Sequence, residues 1–145
     1  MILYDYDSNL ILSNPIKTSQ ESELTASWKT LFLNLHTNGH APELHIIDNE
    51  CSEELCKSFK KYQGTFQLVP PHMHRQNAAE RAIQIWKNHF LAGISTLYPN
   101  FPIQEWYRLI PQCDITLNLL QSSRRQPNLS AYAATFGNFN FNHDQ

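Results

Sequence analysis

The stretch TFQLVPPHMHRQNAAERAIQIWKNHF (residues 65–90) passes from a strand pattern to a helix pattern through a proline-rich loop. Its first five residues are typical of a short strand, and the Pro70–Pro71 pair ends that strand because proline cannot donate to a sheet ladder. From Ala79 onward, apolar residues recur at helical spacing, which predicts one packed face of Ala79, Ala82, Ile83, Trp86 and Phe90. The stretch therefore predicts a strand, a polar loop and an amphipathic helix with Glu80 in its first turn.

The segments before this stretch also alternate between strand and helix patterns. MILYDYDSNLILSNPIK (residues 1–17) has the alternation of a β-hairpin around a turn signal at residues 7–9. The apolar positions in residues 24–35 then predict a helix, which we expect to begin with a capping box of Thr18 and Glu21.

The remaining segments complete an alternating order. ELHIID (residues 43–48) predicts a strand that ends on Asp48, and SEELCKSFKKYQG (residues 52–64) predicts a short helix. A last helix, kinked by Pro111, precedes a turn-rich tail that begins at Arg124 and packs only in part. Strands that alternate with helices indicate an α/β fold with parallel later strands. We therefore predict one mixed sheet, antiparallel at its start and parallel afterwards, flanked by helices.

The composition suits one domain and limits how it can bind DNA. Of the 145 residues, 41% are hydrophobic and 12% aromatic, which is enough for a buried core. The formal net charge is −2 at pH 7, whereas proteins that bind DNA through bulk electrostatics are usually basic. A DNA-binding role therefore requires a local basic patch or a companion domain.

The cysteines and the apolar runs indicate an intracellular protein, nuclear or cytoplasmic and not secreted. Cys51, Cys56 and Cys113 are odd in number and include no C-x-x-C pair, which is atypical of a disulfide framework. No apolar run has the length needed to cross a bilayer, and residues 1–9 lack the features of a signal peptide. We expect no membrane partner.

Asp48 and Glu80 form a candidate pair of metal-binding carboxylates. Residues 49–79 lie between them and hold one helix and one strand, so the chain returns to the same edge of the sheet. Magnesium takes one or two protein carboxylates and completes its shell with waters and substrate phosphate oxygens. The alternative is structural, because a glutamate in the first turn of a helix stabilises the helix dipole and an aspartate after a strand opens a turn.

Three ordered stretches carry a family resemblance: LHIIDNE (44–50), FQLVPPHMHRQNAAERAI (66–83) and NLLQSSRRQPNLSAYAATFG (118–137). Together they resemble the integrase core of copia-type retrotransposons, within the retroviral integrase superfamily. That family has Asp-Asn-Gly at a strand end, a proline-rich loop, and Asn-Gly-x-x-Glu-Arg at the start of a helix. Asp48-Asn49 and residues 77–81 occupy those places here.

The resemblance implies an RNase H-like fold in residues 1–122, with residues 123–145 as a turn-rich extension of the core. It implies a polynucleotidyl transferase that trims the 3′ ends of retroelement DNA and joins them to target DNA with Mg²⁺ or Mn²⁺. The intact enzyme of this family is part of a transposable-element polyprotein and acts on DNA as a homo-oligomer.

The resemblance also assigns the site residues. Asp48 and Glu80 are implied to be the second and third members of a metal-binding catalytic triad. Residues around and after the glutamate are implied to contact nucleic acid: Asn77, Arg81, Gln84 and Lys87. A solvated helix face is the alternative for Gln84 and Lys87.

The sequence departs from the family where its first catalytic aspartate is expected. That aspartate lies on a strand that precedes a VDYxS-type strand, and LYDYDSNLIL (residues 3–12) looks like the second of these two strands. We therefore expect a fragment or decayed copy with impaired activity, whose remaining strands lack a central partner and expose an edge. Asp5 or Asp7 stands in for the third ligand only if the strand register allows it. Glu50 and Ala78 replace family glycines.

Other residues and functions compete with this interpretation. His72 and His74 lack the spacing of a structural zinc site, so no zinc is expected. Arg75 is a candidate phosphate contact, whereas Arg124-Arg125 is predicted to be a solvated turn. Two functional alternatives remain: a non-catalytic nucleic-acid or protein-binding module with the same fold, and a nuclease that cleaves the RNA strand of a hybrid.

Overall fold

The computed structural model describes residues 1–47, 53–62, 64–68, 78–140 and 142. The elements are β1 Ile2–Asp5, β2 Leu10–Ser13, α1 Glu21–Thr37, β3 Leu44–Ile47, α2 Glu53–Lys61, β4 Thr65–Leu68, α3 Ala78–Ser95, a 3₁₀ helix Ile103–Leu109, α4 Ile110–Leu120 and α5 Ala131–Phe136. The predicted mixed α/β class and the order of the strands and helices are confirmed.

The first two strands form the predicted antiparallel hairpin. Leu3 lies opposite Leu12 in its register, and residues 6–9 form the tip. Asn9 adopts a positive φ of 62°, which asparagine tolerates better than most residues. The carboxylate of Asp5 accepts hydrogen bonds from the backbone N–H and the hydroxyl of Ser8, which closes the turn.

The other two strands form a parallel pair, with α2 as the connection between them. Leu44 lies opposite Thr65 and Ile47 opposite Leu68. Within the described ranges, however, the four strands form two separate pairs and not the single mixed sheet that was predicted.

One edge of β1 faces away from β2 and has no partner strand within the described ranges. Met1 and Asn14 exchange both of their backbone hydrogen bonds across the hairpin, so the backbone groups of Ile2 and Tyr4 point away from β2. No strand in the described part of the chain pairs with that edge.

Helices cover both faces of the hairpin. On one face, α1 and α5 pack on β2 through Leu10, Leu12, Leu31, Leu35 and Ala131. On the other face, α3 and α4 pack through Ile11, Ala82 and Leu117. A third cluster joins α1 to α2 through Trp28, Phe32, Leu55 and Phe59, and β1, β3 and β4 each add a side chain to its border.

Polar side chains of α4 cover the outer edge of β2. Asn118 accepts a hydrogen bond from the N–H of Ile11 (2.9 Å) and donates one to the C=O of the same residue (2.6 Å). Asp114 accepts from the backbone N–H of Ser13 (2.7 Å) and from the indole of Trp86 (2.7 Å). These bonds satisfy the groups that a neighbouring strand would otherwise pair, and they close this edge to other chains.

The predicted capping box at the start of α1 is wrong. The helix begins at Glu21, with Gln20 as its N-cap and no side-chain bond from that residue. Because the start lies later than predicted, Glu23 occupies the third helical position and its carboxylate accepts the N–H groups of Lys17 (3.0 Å) and Thr18 (2.9 Å).

The prediction of a kink at Pro111 is also corrected, and the tail contains a helix that was not predicted. Pro111 does not kink a helix from within, because it lies in the first turn of α4, where a missing N–H costs nothing. The tail contains α5, which begins with Ser130 accepting the N–H of Ala133 (3.0 Å). Ala131 is fully buried, so part of the predicted extension belongs to the core.

His45 of β3 predicts that the folded protein loses stability in acid. The His45 ring stacks on Phe59 with centroids 4.8 Å apart, and its buried Nε2 has no hydrogen-bond partner among the described residues. Burial lowers the pKa of His45 below 6.5. Its contribution to stability is therefore present above pH 6.5 and lost as pH falls through the folded-state pKa, with a slope of at most about 1.4 kcal/mol per pH unit.

Urea unfolding of the wild type and of His45→Phe between pH 7.5 and pH 5 measures this slope. We expect the variant, which keeps a ring beside Phe59, to lose less unfolding free energy in acid. The exposed His36, replaced in His36→Gln, is the control and should follow the wild type. Equal pH profiles for all three proteins would contradict the assignment.

Candidate functional site

The parallel pair defines the edge at which the predicted site begins. Because Ile47 and Leu68 are partners in the register, the chain leaves β3 and β4 at the same edge. Asp48 is the next residue after β3 but lies outside the described residues, as does Asn77. Their approach to Glu80 therefore stays a prediction.

Glu80 lies in the first turn of α3 and its side chain is exposed. That position suits both a metal ligand and an acidic residue at the positive end of a helix dipole. Residues 69–77 connect the end of β4 to α3. The described part of the chain contains no cluster of three histidine, cysteine, aspartate or glutamate side chains that could hold a metal ion.

The orientation of α3 presents the other predicted contact residues to solvent. Ala82 is buried against the hairpin, and the Trp86 indole is held by its 2.7 Å hydrogen bond to Asp114. Arg81, Gln84 and Lys87 are exposed as a result.

One apolar position of this helix was predicted wrongly. Ile83 was expected on the packed face, but 44% of its side chain is exposed. It lies about 100° around the helix from Ala82, at the border of the buried face.

A groove lies between the hairpin, α3 and the segment that follows α4. It encloses about 220 Å³, and both Arg81 and Arg124 line it, together with Tyr4, Tyr6 and Gln121. The guanidinium carbon of Arg124 lies 4.0 Å from the centre of the Tyr6 ring and 5.9 Å from that of Tyr4. Burial raises the pKa of Tyr4, and the nearby Arg124 guanidinium partly offsets this rise.

Arg124 and Arg125 lie in an exposed bend, as predicted, but both side chains have partners. Arg124 stacks on an aromatic ring, and Arg125 forms a 2.8 Å ion pair with Asp7. This groove is not apparent from the sequence, because its two sides come from opposite ends of the chain. An arginine pair directly after a helix was the only local signal.

Both candidate substitutes for the third metal ligand have other partners. Asp7 pairs with Arg125. Asp5 holds Ser8 and lies 3.7 Å from the Nδ1 of His40, which follows α1. Since α1 and α3 pack on opposite faces of the hairpin, the Asp5 carboxylate is not directed toward Glu80. The structure gives no support to either residue as a ligand.

Cys113 does not suit the role of a nucleophile. It is a buried free thiol, and burial raises the pKa of Cys113 to about 12, so this thiol stays protonated and unreactive. Cys51, His72, His74 and Arg75 lie outside the described residues. Among the helices that are described, none has the length and apolar character to cross a membrane.

Comparison of the chain with protein-family models finds no match, and comparison with curated proteins finds none either. The family resemblance consequently depends on the three sequence stretches that carry it.

Proposed function

We propose that this chain is an RNase H-like integrase core whose chemistry is metal-dependent 3′-end processing and strand transfer of retroelement DNA into target DNA. The observation that carries the proposal is the parallel register of β3 and β4. It brings the strand that Asp48 follows and the strand that leads to Glu80 to one edge of the sheet.

The proposed roles follow from the chemistry of the side chains. Carboxylate oxygens are the donors that Mg²⁺ and Mn²⁺ prefer, so Asp48 and Glu80 fit a divalent cation. When bound, such ions activate an attacking oxygen and stabilise the leaving one. Arg81 and Lys87 supply positive charge to the DNA backbone, and the amides of Asn77 and Gln84 supply hydrogen bonds. Homo-oligomer formation and a nuclear or cytoplasmic location belong to the same proposal.

The division of the strands into two pairs supports the assignment to this fold. The resemblance places a central strand, with the first acidic residue of the triad, between the hairpin and the parallel pair. The unpaired edge of β1 agrees with that arrangement. We therefore propose that catalysis by this chain alone is impaired.

A non-catalytic nucleic-acid or protein-binding module is the second candidate function. Asp5 and Asp7 are bound to other partners, so Asp48 and Glu80 are the two members of the triad that the proposal assigns. An incomplete triad favours the binding module, and so does the groove lined by two arginines. A hybrid-specific nuclease shares the proposed metal site and differs only in its substrate.

Calorimetric titration with Mn²⁺ tests the proposed metal site. We expect Asp48→Asn and Glu80→Gln each to weaken Mn²⁺ binding by at least about tenfold, because each removes a charged oxygen ligand. Glu53→Gln is the matched control, since Glu53 also lies in the first turn of a helix and 92% of its side chain is exposed. Equal affinities for wild type and Glu80→Gln would favour the binding module.

A substrate panel then separates the two enzymatic functions. With Mn²⁺ present, we expect weak nicking or joining of DNA oligonucleotides and no cleavage of an RNA–DNA hybrid. Efficient strand transfer by this chain alone, lost in Asp48→Asn, would show that its catalysis is not impaired. Cleavage of the hybrid alone would assign the nuclease.

A further inference from the structure

We infer that the groove between the hairpin tip, α3 and the segment after α4 binds one unpaired nucleotide of a DNA strand. The phosphate lies between Arg81 and Arg124 in this assignment, and the base lies against Tyr6. The inference rests on the proposed function and deepens it, because it names where a single strand passes the site of Glu80.

The two sides of the groove are held together by specific bonds. The side-chain amide of Asn9 donates to the C=O of Ser122 (3.0 Å), and the N–H of Arg125 donates to the C=O of Asp7 (3.1 Å). The ion pair between Asp7 and Arg125 adds a third connection. Arg124 is therefore positioned at the hairpin tip by its neighbours and needs little reorganisation to bind a ligand.

Within the described ranges, neither arginine of the groove has a counter-ion: Arg108 and Arg125 have a carboxylate within 4 Å, whereas Arg81 and Arg124 have none. The Tyr6 ring covers one face of the Arg124 guanidinium at 4.0 Å. The Tyr4 hydroxyl is a hydrogen-bond partner of this guanidinium, which has further N–H groups to donate. A planar fork of donors matches a phosphate group. Two such groups beside one small groove favour an anionic ligand.

The size and the lining of the groove favour a single nucleotide. Its volume of about 220 Å³ is smaller than that of pockets for drug-sized ligands and far too small for a duplex. Tyr6 is 59% exposed, so its ring offers the kind of surface on which unpaired bases stack. Gln121 also lines the groove, and its amide supplies a donor and an acceptor for a base edge.

The position of the groove connects it to the proposed chemistry. Arg81 follows Glu80 directly in the first turns of α3. Glu80 itself does not line the groove, so a strand held at Arg81 reaches the glutamate by passing around the start of the helix. A strand that is to be cut or joined has to be unpaired locally, and a site for one extruded nucleotide meets that need.

Fluorescence anisotropy with a labelled ten-nucleotide oligothymidylate in EDTA tests the inference. We expect Arg124→Gln to weaken binding about five- to tenfold at low salt and to reduce the slope of log K against log salt by about one. Tyr6→Leu should weaken binding at least fivefold with little change in slope, whereas Tyr6→Phe, which keeps the ring, should bind like the wild type.

Arg108→Gln is the matched control, because Arg108 is an exposed arginine outside the groove. Equal losses for Arg108→Gln and Arg124→Gln would overturn the site in favour of bulk charge, and so would a duplex that binds as tightly as the single strand. Full competition by millimolar inorganic phosphate would assign the groove to free phosphate instead. Because the assay contains no divalent metal, its failure is distinguishable from failure of the Mn²⁺ titration.

Discussion

Replacing Phe59 with alanine is expected to lower the free energy of unfolding by about 3–5 kcal/mol. The side chain is 2% exposed, lies edge-on to Trp28 with ring centroids 4.7 Å apart, and stacks on His45. The centroid of its ring also lies 6.0 Å from that of Phe66 in β4. Its removal therefore leaves a cavity where α1, α2 and the parallel pair meet, and the strands beside that cavity cannot close it without breaking their ladder.

Urea unfolding followed by circular dichroism measures the effect. Tyr98→Ala is the control, since 75% of the Tyr98 side chain is exposed, and we expect a change within about 0.5 kcal/mol for it. Phe59→Leu should recover part of the loss, because it refills most of the cavity. A loss below 1 kcal/mol for Phe59→Ala would mean that the parallel pair does not pack on this cluster.

Replacing Asn118 with leucine is expected to cost about 2–4 kcal/mol. The asparagine is 1% exposed and satisfies both backbone groups of Ile11. Leucine has nearly the same volume but no polar atoms, so it would bury an unpaired N–H and an unpaired C=O, each at about 1–3 kcal/mol. The edge of β2 would also become available to other chains.

Hydrogen exchange of the Ile11 amide, measured alongside urea unfolding, separates local from global effects. We expect faster exchange at Ile11 and loss of stability together in Asn118→Leu. Asn88→Leu, at an exposed position of α3, is the matched control and should remain within about 0.5 kcal/mol of the wild type. An unchanged Ile11 exchange rate would contradict the role of Asn118 as a substitute for a neighbouring strand.

The contrast between the two edges of the hairpin bears on function. The edge of β2 is closed by Asn118 and Asp114 of α4, whereas no described strand pairs with the edge of β1. Helix α4, which closes the edge of β2, leads directly into the segment that carries Arg124. The packing that stabilises the hairpin therefore also positions one wall of the proposed nucleotide groove.

Much of the fold was predictable because it depends on residues close together in the chain. The turn at residues 7–9 predicted the hairpin, and Asn9 adopts the positive φ that the turn requires. The helical crossover through α2 predicted that β3 and β4 are parallel, because a parallel pair requires a connection of that length. The exposure of Glu80 in a first helical turn followed from the same local patterns.

The predictions failed where distant residues decide the outcome. Local patterns placed the start of α1 too early and did not reveal the partner of Arg124, whereas Glu23 and Tyr6 provide the contacts that are observed. The hydrogen bonds of Asn118 to β2 join residues more than 100 positions apart. Backbone propensity and periodicity act over a few residues and set the elements. Which polar groups meet across the core depends on how those elements pack, and that depends on the whole chain at once.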